Sequence, residues 1–352
     1  MIKRIFTLLC TLFLLAGCEQ SATHQTNADL PVADLSMEKG ALTVHYIDVG
    51  QADSILLVSE GETMLIDGGN RADGPDVVNY LASQGVTKLD YAVGTHPHED
   101  HIGGLPDVIR ALEINEFFLP EKTATTRIYS DMMEALEDTD TPVSIPSPGG
   151  TFTLGACTVE VQGPNQIYED ANNNSIVLRV TCGNTSFLFT GDMEALAEED
   201  LMDAGFVPAA DVLKMGHHGS STSSSQAFLD AVNPTYVVIC CETGNDYGHP
   251  HRETLAAIKS RGLTMYRTDT MGTVVAHSDG ENITFTTETG AAGETPGSVS
   301  QPGAVYIGNK NSQKVHSASC SGLPSEGNRV YFDTLDEALA AGYTICGQCR
   351  AE

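Results

Sequence analysis

Within the run Thr95-His96-Pro97-His98-Glu99-Asp100-His101-Ile102-Gly103-Gly104, three imidazoles and the Asp100 carboxylate fall inside six residues. The run follows Tyr91-Ala92-Val93-Gly94, which reads as a buried strand. Residues two apart in an extended segment point the same way, so His96 and His98 can grip one cation together. Asp100 and His101 come where the chain turns and can face a second cation beside the first. Gly103 and Gly104 let the backbone pass close before a helix at Leu105 to Leu112. Donors of these types at this spacing suit Zn²⁺ or Mn²⁺. The bland alternative is a polar surface loop that happens to be rich in histidine.

The chain has 352 residues, 41% of them hydrophobic, enough for one large domain and a small one. Lys3 and Arg4 precede an apolar run from Ile5 to Leu15, and then comes Leu15-Ala16-Gly17-Cys18. A charged start, a short apolar middle and small residues at the end read as a signal peptide. The run falls short of the roughly 20 residues that span a bilayer. Its ending resembles a bacterial lipobox, which implies cleavage before Cys18 and diacylation of that thiol. Residues 1–17 are thus read as a lipoprotein signal peptide and 18–40 as a polar tether. Membrane attachment through the lipid and an extracytoplasmic location follow, and no obligate protein partner is evident. The net charge of −29 excludes a broad basic surface for nucleic acid. Any polyanionic substrate must be drawn by metal ions and a local patch. Cys157, Cys182, Cys240 and Cys241 lie in apolar, strand-like runs and read as buried small hydrophobes. Pairing of some of them stays open in an exported chain.

Leu42 to Val49 alternates like a strand, and Ile55–Val58 and Met64–Ile66 follow it, the last ending in Asp67-Gly68-Gly69. A carboxylate placed there can hold the metal loop by accepting its backbone N–H groups. Gly74-Pro75 opens a helix, with proline in the first turn. Strand and helix signals then alternate through Phe117–Leu119, Arg127–Leu136, Val143–Ile145 and Thr151–Val161. The apolar strand Ser186-Phe187-Leu188-Phe189 runs through Thr190-Gly191 to deliver Asp192, where a carboxylate can bridge two cations. After a helix at Glu194 to Met202, Val212-Leu213-Lys214-Met215 delivers Gly216-His217-His218-Gly219-Ser220. His217 is the expected ligand of the second cation and His218 the residue nearer substrate, with the reverse order open. The alternation predicts an α/β fold, an αββα sandwich.

The HxHxDH pattern resembles the metallo-β-lactamase fold hydrolases. That resemblance implies the αββα sandwich, two divalent ions (Zn or Mn) and a supporting role for Asp67. Asp48-Val49-Gly50-Gln51, Leu188-Phe189-Thr190-Gly191-Asp192, His217-His218-Gly219-Ser220 and Tyr247-Gly248-His249-Pro250 narrow the likeness to the hydrolase domain of the competence protein ComEC. It covers residues 41–288 and implies a nuclease of the DNA-uptake type. On that resemblance Asp48 supports the site and Asp192 bridges the cations. Asp100 or a bound water handles protons, His218 faces substrate and His249 touches a phosphoryl oxygen. The chain departs from ComEC in having no multi-span channel. It also lacks the histidine that metallo-β-lactamases place between the metal loop and the bridging aspartate. Asn172-Asn173-Asn174-Ser175 stands there instead, leaving the first cation His96, His98, Asp192 and water.

Residues 289–302 form a Gly/Ser/Pro/Thr linker, and 303–352 a small α+β module. His316-x-x-x-Cys320 and Cys346-x-x-Cys349 frame a strand at Arg329–Phe332 and a helix with Thr334 and Glu337 as capping box and Gly342 as stop. So short a segment needs a staple. One His and three Cys suit a structural zinc; a disulfide with one free thiol is the alternative. Val305–Ser312 and Arg329–Phe332 resemble the metal-binding domain of the Ada DNA-repair protein. His316 stands where Ada has cysteine, which leaves structural zinc rather than methyl transfer. Lys310, Lys314 and Arg329 are candidates for holding DNA. The sequence thus points to an exported, lipid-anchored, two-metal phosphodiesterase or nuclease acting on extracellular DNA. The alternatives are a hydrolase of a lactone, a β-lactam or a cell-envelope phosphoester, and a non-catalytic DNA-capture lipoprotein.

Overall fold

The structure, a computed structural model, describes residues 41–206, 208–294, 306–317, 320, 322–324, 328–332, 335–347 and 349. The expected leader, Cys18 with its expected acylation and the expected tether lie outside them, as do most of the linker, Val305, Thr334 and the side chains of Glu337 and Arg329.

Two sheets carry the main body. The first has the spatial order Ile283–Thr287, Val274–Ser278, Leu42–Tyr46, Ile55–Ser59, Glu62–Ile66, Lys88–Val93, Glu113–Phe118 and Val143–Ser144. The second runs Thr264–Arg267, Tyr236–Ile239, Val212–Lys214, Thr185–Phe189, Val177–Cys182, Cys157–Gly163 and Thr151–Leu154. Leu42, Val44, Tyr46, Ile55, Leu57 and Met64 of the first sheet pack against Val159, Leu178, Val180, Phe187 and Phe189 of the second. The opposite face of the first sheet, with Leu56, Val58 and Leu65, packs on Val77, Leu81, Val108 and Met132 of its helices. On the second sheet Leu188, Leu213 and Val237 do the same against Leu201, Phe228 and Ile258. These three apolar layers make the expected αββα sandwich.

Burial on both faces explains why the strands read as unbroken apolar runs rather than alternating ones. Each Leu, Ile or Phe so buried stabilises the fold by about 1.5–3 kcal/mol.

Glu62–Ile66, Lys88–Val93 and Glu113–Phe118 pair in parallel, as do Thr185–Phe189, Val212–Lys214, Tyr236–Ile239 and Thr264–Arg267. The loops leaving the carboxyl ends of such strands are where open α/β sheets build sites. Asp67, the His96 loop, Asp192 and the His217–His218 turn all sit in such loops. A Cβ on Gly104 would collide with the carbonyl oxygen of Gly68, so the close backbone passage expected for that glycine is real.

Cys157 and Cys182 face each other across adjacent antiparallel strands and form a disulfide. Reading them as unpaired hydrophobes is therefore corrected. Cys240 and Cys241 are buried free thiols, as that reading has them.

The C-terminal region has its own four-stranded sheet, in the order Arg329–Phe332, Tyr306–Asn309, Lys314–Ser317 and Thr344–Ile345, with a helix at Leu335–Ala340. Val315, Phe332 and Ala338 are its small buried core. No helix among the described residues is long and apolar enough to cross a membrane.

Candidate metal centre

Asp67 closes its strand against the histidine loop. Its Oδ1 accepts the backbone N–H of Thr95 at 2.8 Å, while its Oδ2 accepts the Thr95 hydroxyl at 2.8 Å and His101 Nδ1 at 2.8 Å. This is the support expected of Asp67, and it turns His101 Nε2 toward the centre of the site.

Asp100, His101, Asp192 and His218 offer ligand atoms that all lie within 4.8 Å of one another. His101 Nε2 is 3.2 Å and His218 Nε2 is 3.6 Å from Asp192 Oδ2, and His218 Nε2 is 3.2 Å from Asp100 Oδ2. His96 Nε2 and His98 Nδ1 stand 3.0 Å apart, with His96 Nε2 3.9 Å from Asp192 Oδ2. Two histidine nitrogens on one tetrahedral ion lie about 3.3 Å apart, so this pair converges as ligands of a shared cation do. Asp192 touches both groups, in the bridging place assigned to it.

The order of the adjacent histidines is the reverse of the expectation. His218, not His217, joins the four-residue cluster. Both residues adopt left-handed backbone, with φ of 51° and 53°. His218 Nδ1 donates to the Cys240 carbonyl at 3.0 Å, which aims Nε2 inward. His217 is half-buried on the rim, 3.7 Å from Asp192 Oδ2 and 3.4 Å from Glu194.

Asp48 also departs from its assigned support. It is exposed and accepts only the nearby Gly50 N–H, at 3.2 Å. Asp53, unassigned from sequence, instead places negative charge beside the imidazoles. It is buried, ion-paired with the fully buried Lys214, 3.5 Å from His218 Nδ1 and 3.8 Å from His101 Nδ1. A lysine inside the apolar run Val212–Met215 was the available signal. Ser175 was missed too; its hydroxyl accepts the Asp192 N–H at 3.0 Å and sits 3.3 Å from His96 Nδ1. The segment lacking a histidine ligand therefore orients two ligands. His249 lies beside the site, its Nδ1 accepting from Gln51 Nε2 at 3.2 Å.

The residues fit a cation by their own electrostatics. Asp192 Oδ1 is buried with no hydrogen-bond partner. Burial would lower His101, yet Asp192, Asp67 and Asp100 hold it well above the usual imidazole range. Burial likewise opposes charging His218, but Asp192 and Asp53 carry it up to about 9. The field of the carboxylates thus calls for positive charge, which protons supply when no metal does. At His249 burial, then His217 and His218, push the imidazole down to about 4. The centre opens on a cleft of about 310 Å³ bordered by His98, Asp100, Asp192, His218 and His249.

In the C-terminal region His316, Cys320, Cys346 and Cys349 likewise converge within 4.8 Å. His316 Nδ1 is 3.4 Å from Cys320 Sγ, and Cys346 Sγ is 3.7 Å from Cys320 Sγ and 3.2 Å from Cys349 Sγ. Sulfurs on one tetrahedral zinc lie about 3.8 Å apart. The backbone N–H of Ser317 reaches Cys349 Sγ at 3.4 Å, and that of Cys349 reaches Cys346 Sγ at 3.3 Å. Such donors favour thiolates.

The model of the metallo-beta-lactamase superfamily matches residues 47–243. ComE operon protein 3 of Bacillus subtilis is 25% identical over 250 residues, which are 66% of this chain and 32% of that protein. Competence protein ComA of Neisseria gonorrhoeae is 32% identical over 228 residues, 64% of this chain and 30% of that one. The chain spans about a third of the length of these relatives. Among solved structures, the metallo-beta-lactamase fold protein YhfI of Bacillus subtilis aligns with a TM-score of 0.47 at 15% identity, covering 68% of this chain and 99% of that one.

Proposed function

The chain belongs to the metallo-beta-lactamase superfamily and is a metal-dependent hydrolase related to competence proteins; from that premise we propose that it is an exported, lipid-anchored phosphodiesterase or nuclease acting on extracellular DNA. The observation that carries this reading is the cluster of Asp100 with the buried His101, Asp192 and His218, with Asp192 in reach of the His96–His98 pair. His96, His98 and Asp192 would hold one divalent ion, and Asp100, His101, Asp192 and His218 a second. Bound there, such ions activate water and stabilise the charge that builds on a phosphoryl group. The protein's own residues do the rest. Asp67 orients His101 and the Cys240 carbonyl orients His218, Asp53 adds negative charge beside both, the half-exposed Asp100 can take a proton from the cleft side, and His249, neutral at pH 7, can contact a phosphoryl oxygen. The competence names of the relatives support DNA as substrate. Export is supported by the lipobox-like ending at Cys18 and by the Cys157–Cys182 disulfide, a bond of oxidising compartments. In the C-terminal region the His–Cys₃ cluster would hold one structural zinc ion.

The test is turnover by the mature protein loaded with Mn²⁺ or Zn²⁺. Cleavage of DNA and of bis(p-nitrophenyl) phosphate is the expected result. Hydrolysis of a β-lactam or lactone with neither phosphodiester cleaved would replace this reading. That second reading has an observation in its favour: the cleft of about 650 Å³ next to the centre carries Asp48, Asp73, Asp76 and Glu242, a poor wall for a polyanion. Cys18→Ser should release the protein from the membrane fraction.

A further inference from the structure

Two further clefts adjoin the metal centre: one is lined by carboxylates with no Lys or Arg, the other by two arginines and one carboxylate. The acidic cleft, of about 650 Å³, is lined by Asp48, Asp73, Asp76, Glu99, Asp100 and Glu242. It shares Gln51, Glu99, Asp100 and Tyr247 with the central cleft. A second cleft of about 540 Å³ shares His98 and Glu99 with the centre, meets the acidic cleft at Glu99, and is lined by Arg71, Thr126 and Arg127. Arg71 is ion-paired with Asp131, and Arg127 Nε stands 3.7 Å from the same carboxylate. Arg71 holds the Asp131 carboxyl below its usual range, with Arg127 and Arg110 adding to the effect. Two guanidinium groups thus meet at one carboxylate, with the charge of Arg110 acting from farther off. In a chain with 18 Lys and Arg against 47 Asp and Glu, that is a local concentration of positive charge beside the site. The side chains of Arg71 and Arg127 remain 49% and 88% exposed, so both can reach a ligand.

Building on the phosphodiesterase reading, we infer that the Arg71–Arg127 cleft is a phosphate subsite that holds the phosphate next to the one being cleaved. Guanidinium suits it, since its planar fork meets phosphate oxygens in pairs. The acidic cleft repels a further phosphate, because Asp48, Asp73, Asp76 and Glu242 line it with no Lys or Arg to offset them. A polynucleotide therefore enters from the arginine side and ends at the metal centre. The enzyme removes units from a chain end and does not cut within a strand.

The experiment compares a linear single-stranded oligonucleotide, a circular single strand and bis(p-nitrophenyl) phosphate, which has no neighbouring phosphate. The full mature protein is assayed in Mn²⁺. Wild type should degrade the linear strand stepwise and spare the circle. In Arg127→Gln, and again in Arg71→Gln, the ratio of kcat/KM for the oligonucleotide to that for the small ester should fall about tenfold, the equivalent of about 1.4 kcal/mol from one lost contact. The fall should come through KM. In Asp76→Asn/Glu242→Gln the same ratio should rise. Turnover of the small ester reports that each variant is folded. A circle cut as fast as the linear strand, or an unchanged ratio in both arginine variants, overturns the subsite while leaving the phosphodiesterase intact. Absence of small-ester turnover in wild type overturns the phosphodiesterase reading and this inference with it.

Discussion

At the scale of residues, Asp192 and His218 form the hinge of the chemistry. Asp192 is 1% exposed, has one unpartnered oxygen, and lies within 4 Å of His96, His101, His217 and His218. Asp192→Ala removes negative charge from both cation positions at once. It should reduce bound metal from two ions per site and cost more than the about 10–100-fold in affinity typical of an outer partner. Asp67→Asn, which loosens His101 and the Thr95 backbone but removes no ligand, should fall inside that range. His218→Ala should lose an ion while His217→Ala keeps both, a contrast that elemental analysis of the dialysed proteins can read. A pH dependence follows from the raised imidazoles. In the metal-free protein His101 is held well above its usual range and His218 at about 9, so both are protonated at pH 7. Metal must displace those protons. Affinity should therefore rise with pH up to about 9 and weaken as pH falls, with proton release seen by titration calorimetry in buffers of different ionisation enthalpy. A proton count of zero at pH 7 would contradict the arrangement.

At the scale of elements, the strands of the sandwich are loaded on both faces, and Thr185–Phe189 shows the consequence. Phe187 and Phe189 point into the layer between the sheets and Leu188 into the helix layer, all fully buried. Leu188→Ala should destabilise the protein by about 2–5 kcal/mol, measured by denaturant unfolding of the metal-loaded protein. Such runs were legible in the sequence because they are apolar throughout, and so were the helices at Gly74–Ser83, with Pro75 in its first turn, and at Arg127–Asp138. The strands Val274–Ser278 and Ile283–Thr287 were not assigned. Their partner is Leu42–Tyr46, near the start of the domain, and no local pattern announces so distant a pairing. Among the described residues of the C-terminal region the core cluster is small, Val315, Phe332 and Ala338, so its stability should depend on the His–Cys₃ cluster. Chelation should increase proteolysis after residue 303 while the main body stays intact. A chelator-resistant region joined by a Cys–Cys bond in mass spectra would favour the disulfide.

At the scale of the whole molecule, most of the site was readable because its ligands come in contiguous runs, each at a strand's end. What escaped were relations between distant runs. Asp53 and Lys214 meet only when the two sheets pack, and the His217–His218 order depends on two left-handed residues. The charge balance was readable as a sum, yet its distribution was not. A net charge of −29 says that binding to a polyanion is opposed on average, whereas the clefts divide that charge around the centre. This division fixes a quantity that can be measured. Each phosphate neutralised by a cationic side chain adds about 0.7 to the salt slope for a single strand. Two arginines at one subsite should therefore give log KM for an oligonucleotide a slope of no more than about 2 against log salt concentration. A protein that lays the strand along a broad basic surface would show a slope several times steeper. The measurement is a set of KM values between 50 and 300 mM NaCl at saturating Mn²⁺, with Arg127→Gln expected to flatten the slope by about 0.7. A steep slope that survives this substitution would mean that cations elsewhere on the chain carry the strand.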